Sequence, residues 1–202
     1  MIAIIDYGMG NLRSVQKAFE KFCPDVRVTS SAKDILCADK VILPGVGAFR
    51  VAMNELKKRG LIGPIRSSIE KGRPFLGVCL GMQILFTESE EGGSVKGLDI
   101  IKGRVKKFKK KSGLKVPHMG WNTVKSKKES DIMKGVRGNS YMYFVHSYYA
   151  APKDKAVTLC ETDYAGKFTS GVAMGNVYGF QFHPEKSQSA GLRIVENFAK
   201  LC

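Results

Sequence analysis

The sequence predicts an α/β protein: a doubly wound, mostly parallel central sheet with an antiparallel extension in its C-terminal half. Three observations predict it. In the first half, short β-branched runs alternate with segments whose apolar residues recur at helical spacing, the pattern of βαβ units that cover both faces of a sheet. Past about residue 97, strand-like pieces follow one another across short turns, as antiparallel pairing requires. The 202 residues are 44% hydrophobic and 25% charged, a balance suited to a folded chain with one core, so a single domain over 1–202 is expected.

Residues 2–5, IAII, read as a buried strand, and NLRSVQKAFEKF follows with Leu12, Val15, Ala18, Phe19 and Phe22 on one helical face. VRVT (26–29) and KVIL (40–43) are strands. AFRVAMNELKKRG and GPIRSSIEKG are helices that close at Gly60 and Gly72, and PFLGV (74–78) is a strand leading into a helix over LGMQILFTESE (80–90). Then DIIKGRVKKF, GWNTVK, YMYFVHSYYA, AVTLCETD, KFTSGVAM and VYGFQFH are strand-like, with YAGK and MGN among the turns. AGLRIVENFAKL returns as a helix over the sheet.

Composition narrows the function. No apolar stretch approaches the ~20 residues of a membrane span, and MIAIIDYGMGN reads as a first strand rather than an export signal, so a cytoplasmic location is expected. Cys23, Cys37, Cys79, Cys160 and Cys202 are odd in number, scattered and without a C-x-x-C pair, which suggests neither a disulfide framework nor a zinc site. The early glycines of YGMGNLR fail the dinucleotide fingerprint, because Arg13 stands at its third glycine position. No cofactor and no metal are expected. The net charge of +15 concentrates in KGRVKKFKKKSGLK (102–115) and KSKK (125–128). That is the footprint of a nucleic-acid binder, yet lysine outnumbers arginine, few aromatics interleave and no nucleic-acid-binding motif is present. A solvated lysine-rich face is the preferred reading.

In an open parallel sheet, ligands bind beyond the carboxyl ends of the strands. In FLGVCLGMQ (75–83), Cys79 stands at such an end, between Gly77 and Gly81. The G-x-C-x-G spacing parallels the G-x-S-x-G turn of hydrolases, from which a nucleophile projects and which only small neighbours permit. The partial positive charge of the helix N-terminus favours a thiolate there. A buried structural cysteine is the competing reading. In YGFQFHPEKS a second strand runs out into His183, Pro184 and Glu185. Residues two apart in an extended segment share a side, so Glu185 is placed to orient His183, and His183 to take the thiol proton. His118 in VPHMGWN and His146 in FVHSYYA compete for that role, though neither has a carboxylate two residues away. In VILPGVGAF, the N–H groups that follow Pro44, at Gly45, Val46 and Gly47, are able to form an oxyanion hole with the N–H of Leu80. A plain tight turn is the alternative.

These three strand-end motifs, in this order, resemble the triad-type, class I glutamine amidotransferase family. IAIIDYGMGNLRSV, LPGVGAF, GVCLGMQILF, VPHMGWN, FVHSYY and GFQFHPEKS extend the likeness over nearly the whole chain. PGVGAF and PHMGWN direct it, within that family, to the glutaminase subunits of imidazole glycerol phosphate synthases. The resemblance implies hydrolysis of L-glutamine to glutamate and ammonia through a thioester on Cys79, with His183 as general base and then acid and Glu185 orienting it. It implies that Gln83, Glu91, Ser147 and Tyr148 hold the substrate and that Gly45, Val46 and Gly47 form the oxyanion strand. It implies a heterodimer in which a (β/α)8-barrel cyclase subunit receives the ammonia and makes imidazole glycerol phosphate and an aminoimidazole carboxamide ribotide in histidine biosynthesis. Trp121, Tyr143 and Lys186 would face that partner. Two other readings remain beside it: the same chemistry feeding another synthase, and a basic nucleic-acid-binding α/β domain that uses residues 102–128.

Overall fold

The structure is a computed structural model that describes residues 1–109 and 114–202. Four residues of the lysine-rich stretch, 110–113, therefore lie outside the described residues. Four parallel strands open the fold: β1 (Ile2–Ile5), β2 (Val26–Thr29), β3 (Lys40–Gly45) and β4 (Phe75–Cys79), in the order β2-β1-β3-β4. β1 and β4 are apolar and buried at every position because both of their faces are covered, whereas the edge strand β2 is buried only at Thr29. The fifth parallel strand, β13 (Val177–Phe180), comes from far along the chain and inserts beside β4, Val177 opposite Phe75 and Phe180 opposite Val78. β3 flanks β4 on its other side, with Gly45 opposite Cys79. The carboxyl ends of β3, β4 and β13 thus lie side by side.

Beyond β13 the sheet continues antiparallel through β12 (Lys167–Met174), β10 (Tyr148–Pro152) and β7 (Ile101–Lys107), then parallel to β5 (Phe86–Ser89), which pairs with β6 (Val95–Lys96). A branch leaves β12 through β11 (Thr158–Asp163) to β8 (His118–Ser126) and β9 (Ser140–His146). Thirteen strands form one connected sheet among the described residues.

Helices α1 (Leu12–Glu20) and α6 (Gln188–Lys200) share one face, where Phe19 meets Phe198 edge to face at 5.9 Å. On the opposite face α2 (Ala32–Cys37), α3 (Phe49–Lys58), α4 (Ile62–Glu70) and α5 (Leu80–Ile84) cover the sheet, with Ile65 of α4 and Met82 of α5 in one core with Ile5 and Leu43. Asn11 and Ser31 cap α1 and α2 in the ordinary way, by accepting the N–H of Ser14 and Asp34. α3 is preceded by Ala48, which has no polar side chain to cap it, and the Phe49 N–H is taken instead by Glu91 from a distant loop, at 2.8 Å.

Several expected elements differ. The helix expected over 80–90 ends at Ile84, because the returning chain binds its last carbonyls: Leu98 N–H donates to Ile84 O at 2.8 Å and Ile100 N–H to Leu85 O at 2.9 Å. Residues 86–89 then pair with β7, so tertiary hydrogen bonding overrides local helix propensity. YMYFVHSYYA is two strands, β9 and β10, broken at Ser147, since β9 pairs with β8 while β10 pairs with β7. VYGFQFH leaves the sheet after Phe180. The six-residue α2 is too short to show a period and was not expected.

Part of the lysine-rich stretch is engaged locally where it is described. Lys102 pairs with Asp99, Arg104 with Glu88 and Lys127 with Glu161, and Lys128 donates to the carbonyls of Ala156 and Ala173.

Two glycines give opposite expectations. A Cβ on Gly81 would run into the main-chain oxygen of Leu43 in β3, whereas one on Gly63, in the first turn of α4, would meet nothing within 4 Å. Gly81→Ala should lose about 3 kcal/mol through backbone overpacking, and Gly63→Ala should be neutral or gain up to about 1 kcal/mol from helix propensity. Urea midpoints of the two variants check this.

Candidate active site

Cys79 ends β4 and begins α5 with φ 54 and ψ −108, a conformation that L-residues rarely adopt and that costs about 1–3 kcal/mol. The neighbours explain how the chain holds it. A Cβ on Gly77 would lie 2.7 Å from Gly81 O, and one on Gly45 would strike the Tyr7 hydroxyl and approach Leu80 Cβ at 3.0 Å. Only glycine lets the three segments close on one another, and their closing turns Cys79 out of the strand. The G-x-C-x-G spacing is therefore a packing requirement of this elbow.

His183 and Glu185 follow β13. They were expected to share a side of an extended segment; instead Pro184–Lys186 forms one short 3-10 turn, and the turn brings them together. His183 Nδ1 lies 2.9 Å from Glu185 Oε1, both side chains 3% exposed. The main chain of His183 is held at both ends, its N–H donating to Tyr143 O at 3.0 Å and its carbonyl accepting from the Ser187 hydroxyl at 2.6 Å. The other ring nitrogen, Nε2, is buried without a formed hydrogen bond among the described residues and is left to Cys79. Burial by itself would lower the pKa of this imidazole. The Cys79 sulfur and the Glu185 carboxylate outweigh burial and raise it to about 10. A buried histidine with one nitrogen on a carboxylate and the other toward sulfur is able to hold a proton for a thiolate and return it to a leaving group.

Next to Cys79 opens a pocket of about 370 Å³, a volume suited to a small metabolite. Val46 and Gly47 border it on the β3 side, Cys79, Leu80 and Gln83 on the elbow side, and Glu91, Ser147 and Tyr148 across from them. Gly45 lies just behind, paired with Cys79. Gln83 Nε2 donates to Tyr148 O and to Gln181 Oε1, both at 2.9 Å, so its carbonyl oxygen is the end left over for a ligand. One carboxylate oxygen of Glu91 caps α3 and the other remains.

The histidines that competed as base are placed elsewhere in the network. His146 lines the pocket, but its Nδ1 is 2.8 Å from Tyr148 O and its Nε2 is 2.9 Å from His118 Nδ1. A carbonyl only accepts, so His146 carries its proton on Nδ1 and accepts on Nε2 from His118 Nδ1–H. His118 Nε2 then accepts from the Asn122 amide at 3.2 Å. Both rings are neutral with both nitrogens occupied. Burial lowers His118 to about 4 and His146 to about 3, the latter opposed by its bond to the Tyr148 carbonyl.

Trp121, Tyr143 and Lys186 gather on the outer face of β8 and β9. Trp121 and Tyr143 are cross-strand partners with ring centres 6.0 Å apart, and Lys186 Nζ stands 5.9 Å over the Tyr143 ring. Met119 and Tyr141, each 63% exposed, extend the patch beside Trp121 at 46%. Sequence reasoning missed Gln181, whose Nε2 is 3.7 Å from Cys79 Sγ. Its signal was present, since it stands two residues before His183 in FQFH.

The three histidines give stability a definite pH dependence. In the unfolded chain all three protonate near 6.5, while in the fold His118 and His146 stay neutral down to about 4 and about 3. The unfolded state therefore binds more protons below pH 6.5, and stability should fall as the pH is lowered, with a slope approaching about two protons. His183 acts in the opposite sense: its raised pKa adds stability that is complete below 6.5 and is lost as the pH rises through about 10. Urea midpoints between pH 5 and 6.5, where ordinary carboxylates stay ionised, should fall with pH in the wild type and fall less in His146→Gln.

Comparison with known proteins shows the family. The sequence pattern of the class-I glutamine amidotransferases matches residues 3–202. The imidazole glycerol phosphate synthase subunit HisH of Syntrophotalea carbinolica is 52% identical over 206 residues, covering 100% of both chains. That of Moorella thermoacetica is 50% identical over 200 residues, covering 99% of this chain and 94% of its own. A solved glutamine amidotransferase superposes with a TM-score of 0.76 at 16% identity over 98% of this chain and 99% of its own, and PurLQS from Thermotoga maritima with 0.71 at 17% over 98% and 96%; at these identities the likeness is one of fold. With its pattern matched over almost its full length and half its residues shared with such relatives, the chain belongs to the class-I glutamine amidotransferase family.

Proposed function

We propose that this chain is the glutaminase subunit of an imidazole glycerol phosphate synthase, acting as one amidotransferase domain in histidine biosynthesis. One observation carries the reading: a strained, outward-turned Cys79 with the buried His183–Glu185 pair behind it and an amino-acid-sized pocket in front. The relatives at about half identity, named as subunits of that synthase, support the acceptor.

The chemistry follows from the placement of groups. Glutamine enters with its α-ammonium toward the free oxygens of Gln83 and Glu91, flanked by Ser147 and Tyr148, and its side-chain amide toward Cys79. Sulfur attacks the amide carbon, and the C=O electron pair moves onto oxygen, where the N–H of Leu80 and those of the Gly45, Val46 and Gly47 turn receive it. His183, carrying the proton taken from the Cys79 thiol, gives it to the nitrogen as the C–N bond breaks and ammonia leaves. The thioester is then cleaved by water, whose proton His183 takes, and glutamate departs. Glu185 keeps the ring orientation through both steps.

Ammonia passes to a (β/α)8-barrel cyclase subunit, which docks on the patch of Trp121, Tyr143 and Lys186. An exposed tryptophan among aromatics with a cation over one ring is the composition of a binding hot spot. Of the basic residues behind the other reading, a polyanion binder, Lys102, Arg104 and Lys127 are paired with local carboxylates. Among the described residues no helix is long and apolar enough to cross a membrane, which is compatible with the cytoplasmic setting we propose.

Glutamate release from L-glutamine, measured with and without a barrel cyclase subunit, tests the proposal. The chain alone should be slow and the pair fast. Cys79→Ala should lose about 10⁴-fold or more and His183→Ala about 10²–10⁴-fold; retained turnover in Cys79→Ala would refute the nucleophile. Trp121→Ala should weaken association with the cyclase at least about tenfold, as read by titration calorimetry, and an unchanged affinity would move the interface elsewhere.

A further inference from the structure

Gln181 is fully buried just past β13, its N–H tied to Ser170 O at 2.9 Å. Its side-chain amide bridges Cys79 and Gln83, two residues that border the pocket. Oε1 accepts from Gln83 Nε2 at 2.9 Å, and Nε2 donates to Cys79 Sγ at 3.7 Å. The polarity of this chain is not free. Tyr148 O accepts only, so the Gln83 atom facing it must be the NH2 group, and the same nitrogen faces Gln181. Gln181 must then present its oxygen to Gln83, which leaves its own NH2 for sulfur. A main-chain carbonyl thereby dictates, through two buried amides, which end of each faces outward.

We propose that Gln181 is a positioning residue with two simultaneous effects: it supplies the sulfur with a permanent N–H donor, and it locks Gln83 with its oxygen toward the pocket. This rests on the glutaminase reading for its second effect. An amide donor neither gives up nor takes a proton under working conditions, so it steadies an anionic sulfur without competing with His183 for the proton, and hydrogen bonds to a charged partner are the strong ones. Meanwhile Gln83, with both hydrogens engaged, accepts and does not donate. The pocket is therefore set to receive a ligand group that donates, such as an ammonium, and to reject one that only accepts, because a buried oxygen facing another oxygen goes unpaired.

Two substitutions separate the effects. Gln181→Met keeps the bulk and removes both hydrogen bonds. Gln181→Glu keeps an acceptor for Gln83 and, once ionised, withdraws the donor from sulfur. Two readouts are taken on the full chain: alkylation of Cys79 by iodoacetamide, followed on the Cys79 peptide by mass spectrometry across pH, and glutamine turnover in the presence of the cyclase subunit. In Gln181→Met, alkylation at neutral pH should slow about tenfold, with its profile displaced to higher pH, and the KM for glutamine should rise about tenfold. In Gln181→Glu, alkylation should slow similarly while KM stays within about threefold of wild type. Matched thermal melts establish that each variant folds, and Gln181→Met, which removes the donor at every pH, decides the sulfur effect.

A wild-type alkylation profile in Gln181→Met would overturn the sulfur effect. An equal rise of KM in both would overturn the locking of Gln83. If the wild type with a cyclase releases no glutamate while Gln181→Met still slows alkylation, the glutaminase reading falls and the sulfur effect stands.

Discussion

Everything at this site depends on β13 lying parallel to β4 with Phe180 opposite Val78. Cys79 and His183 are about a hundred residues apart in the chain, and no local preference brings them together. The register does, by ending two apolar strands at the same level and letting the chain leave each one toward the same rim. β3 adds Gly45 at that level from the other side. A slip of one residue in β13 would turn its core side chains to the opposite face and carry the imidazole away with them, so the burial of Val177 and Phe180 is what holds the base opposite the nucleophile.

One residue type serves two opposite electrostatic ends. All three histidines are almost fully buried, yet His183 is held as a cation and His118 and His146 as neutral rings. The difference lies in the partners. His183 has a carboxylate at one nitrogen and a sulfur toward the other, so charge on the ring is stabilised on both sides. The other two have a carbonyl, an amide and each other, together with the aromatic faces of Phe144 and Tyr164 stacked on His118. Nothing there repays the desolvation of an added proton.

The site was legible in the sequence wherever chemistry demands a fixed spacing. Gly77 and Gly81 around Cys79 announce a close approach of backbones, and His183 with Glu185 announces an oriented base; both are visible without knowing what lies opposite. The first four parallel strands were equally plain from their short β-branched runs, whereas VYGFQFH, expected in the antiparallel part, returns as the fifth parallel strand beside β4. What stayed hidden was decided by long-range pairing. Residues 86–89 carry no local mark of the strand that β7 makes of them, and α2 is too brief for a period to emerge. Whether His118 or His146 could serve as base was also open in the sequence, because it turns on which atoms face their ring nitrogens. The 3-10 turn at Pro184–Lys186 is the instructive case: the pair it forms was anticipated from strand alternation, and the right neighbours were reached through a different geometry.

Glu91 has a place in two structures at once. One of its oxygens completes the first turn of a helix that has no cap of its own, and the other borders the cavity. The acid is consequently oriented before any ligand arrives, with its side-chain entropy already spent during folding. By the same sharing, its removal would loosen the start of α3 together with the cavity wall, so a defect at this position belongs to architecture and recognition jointly.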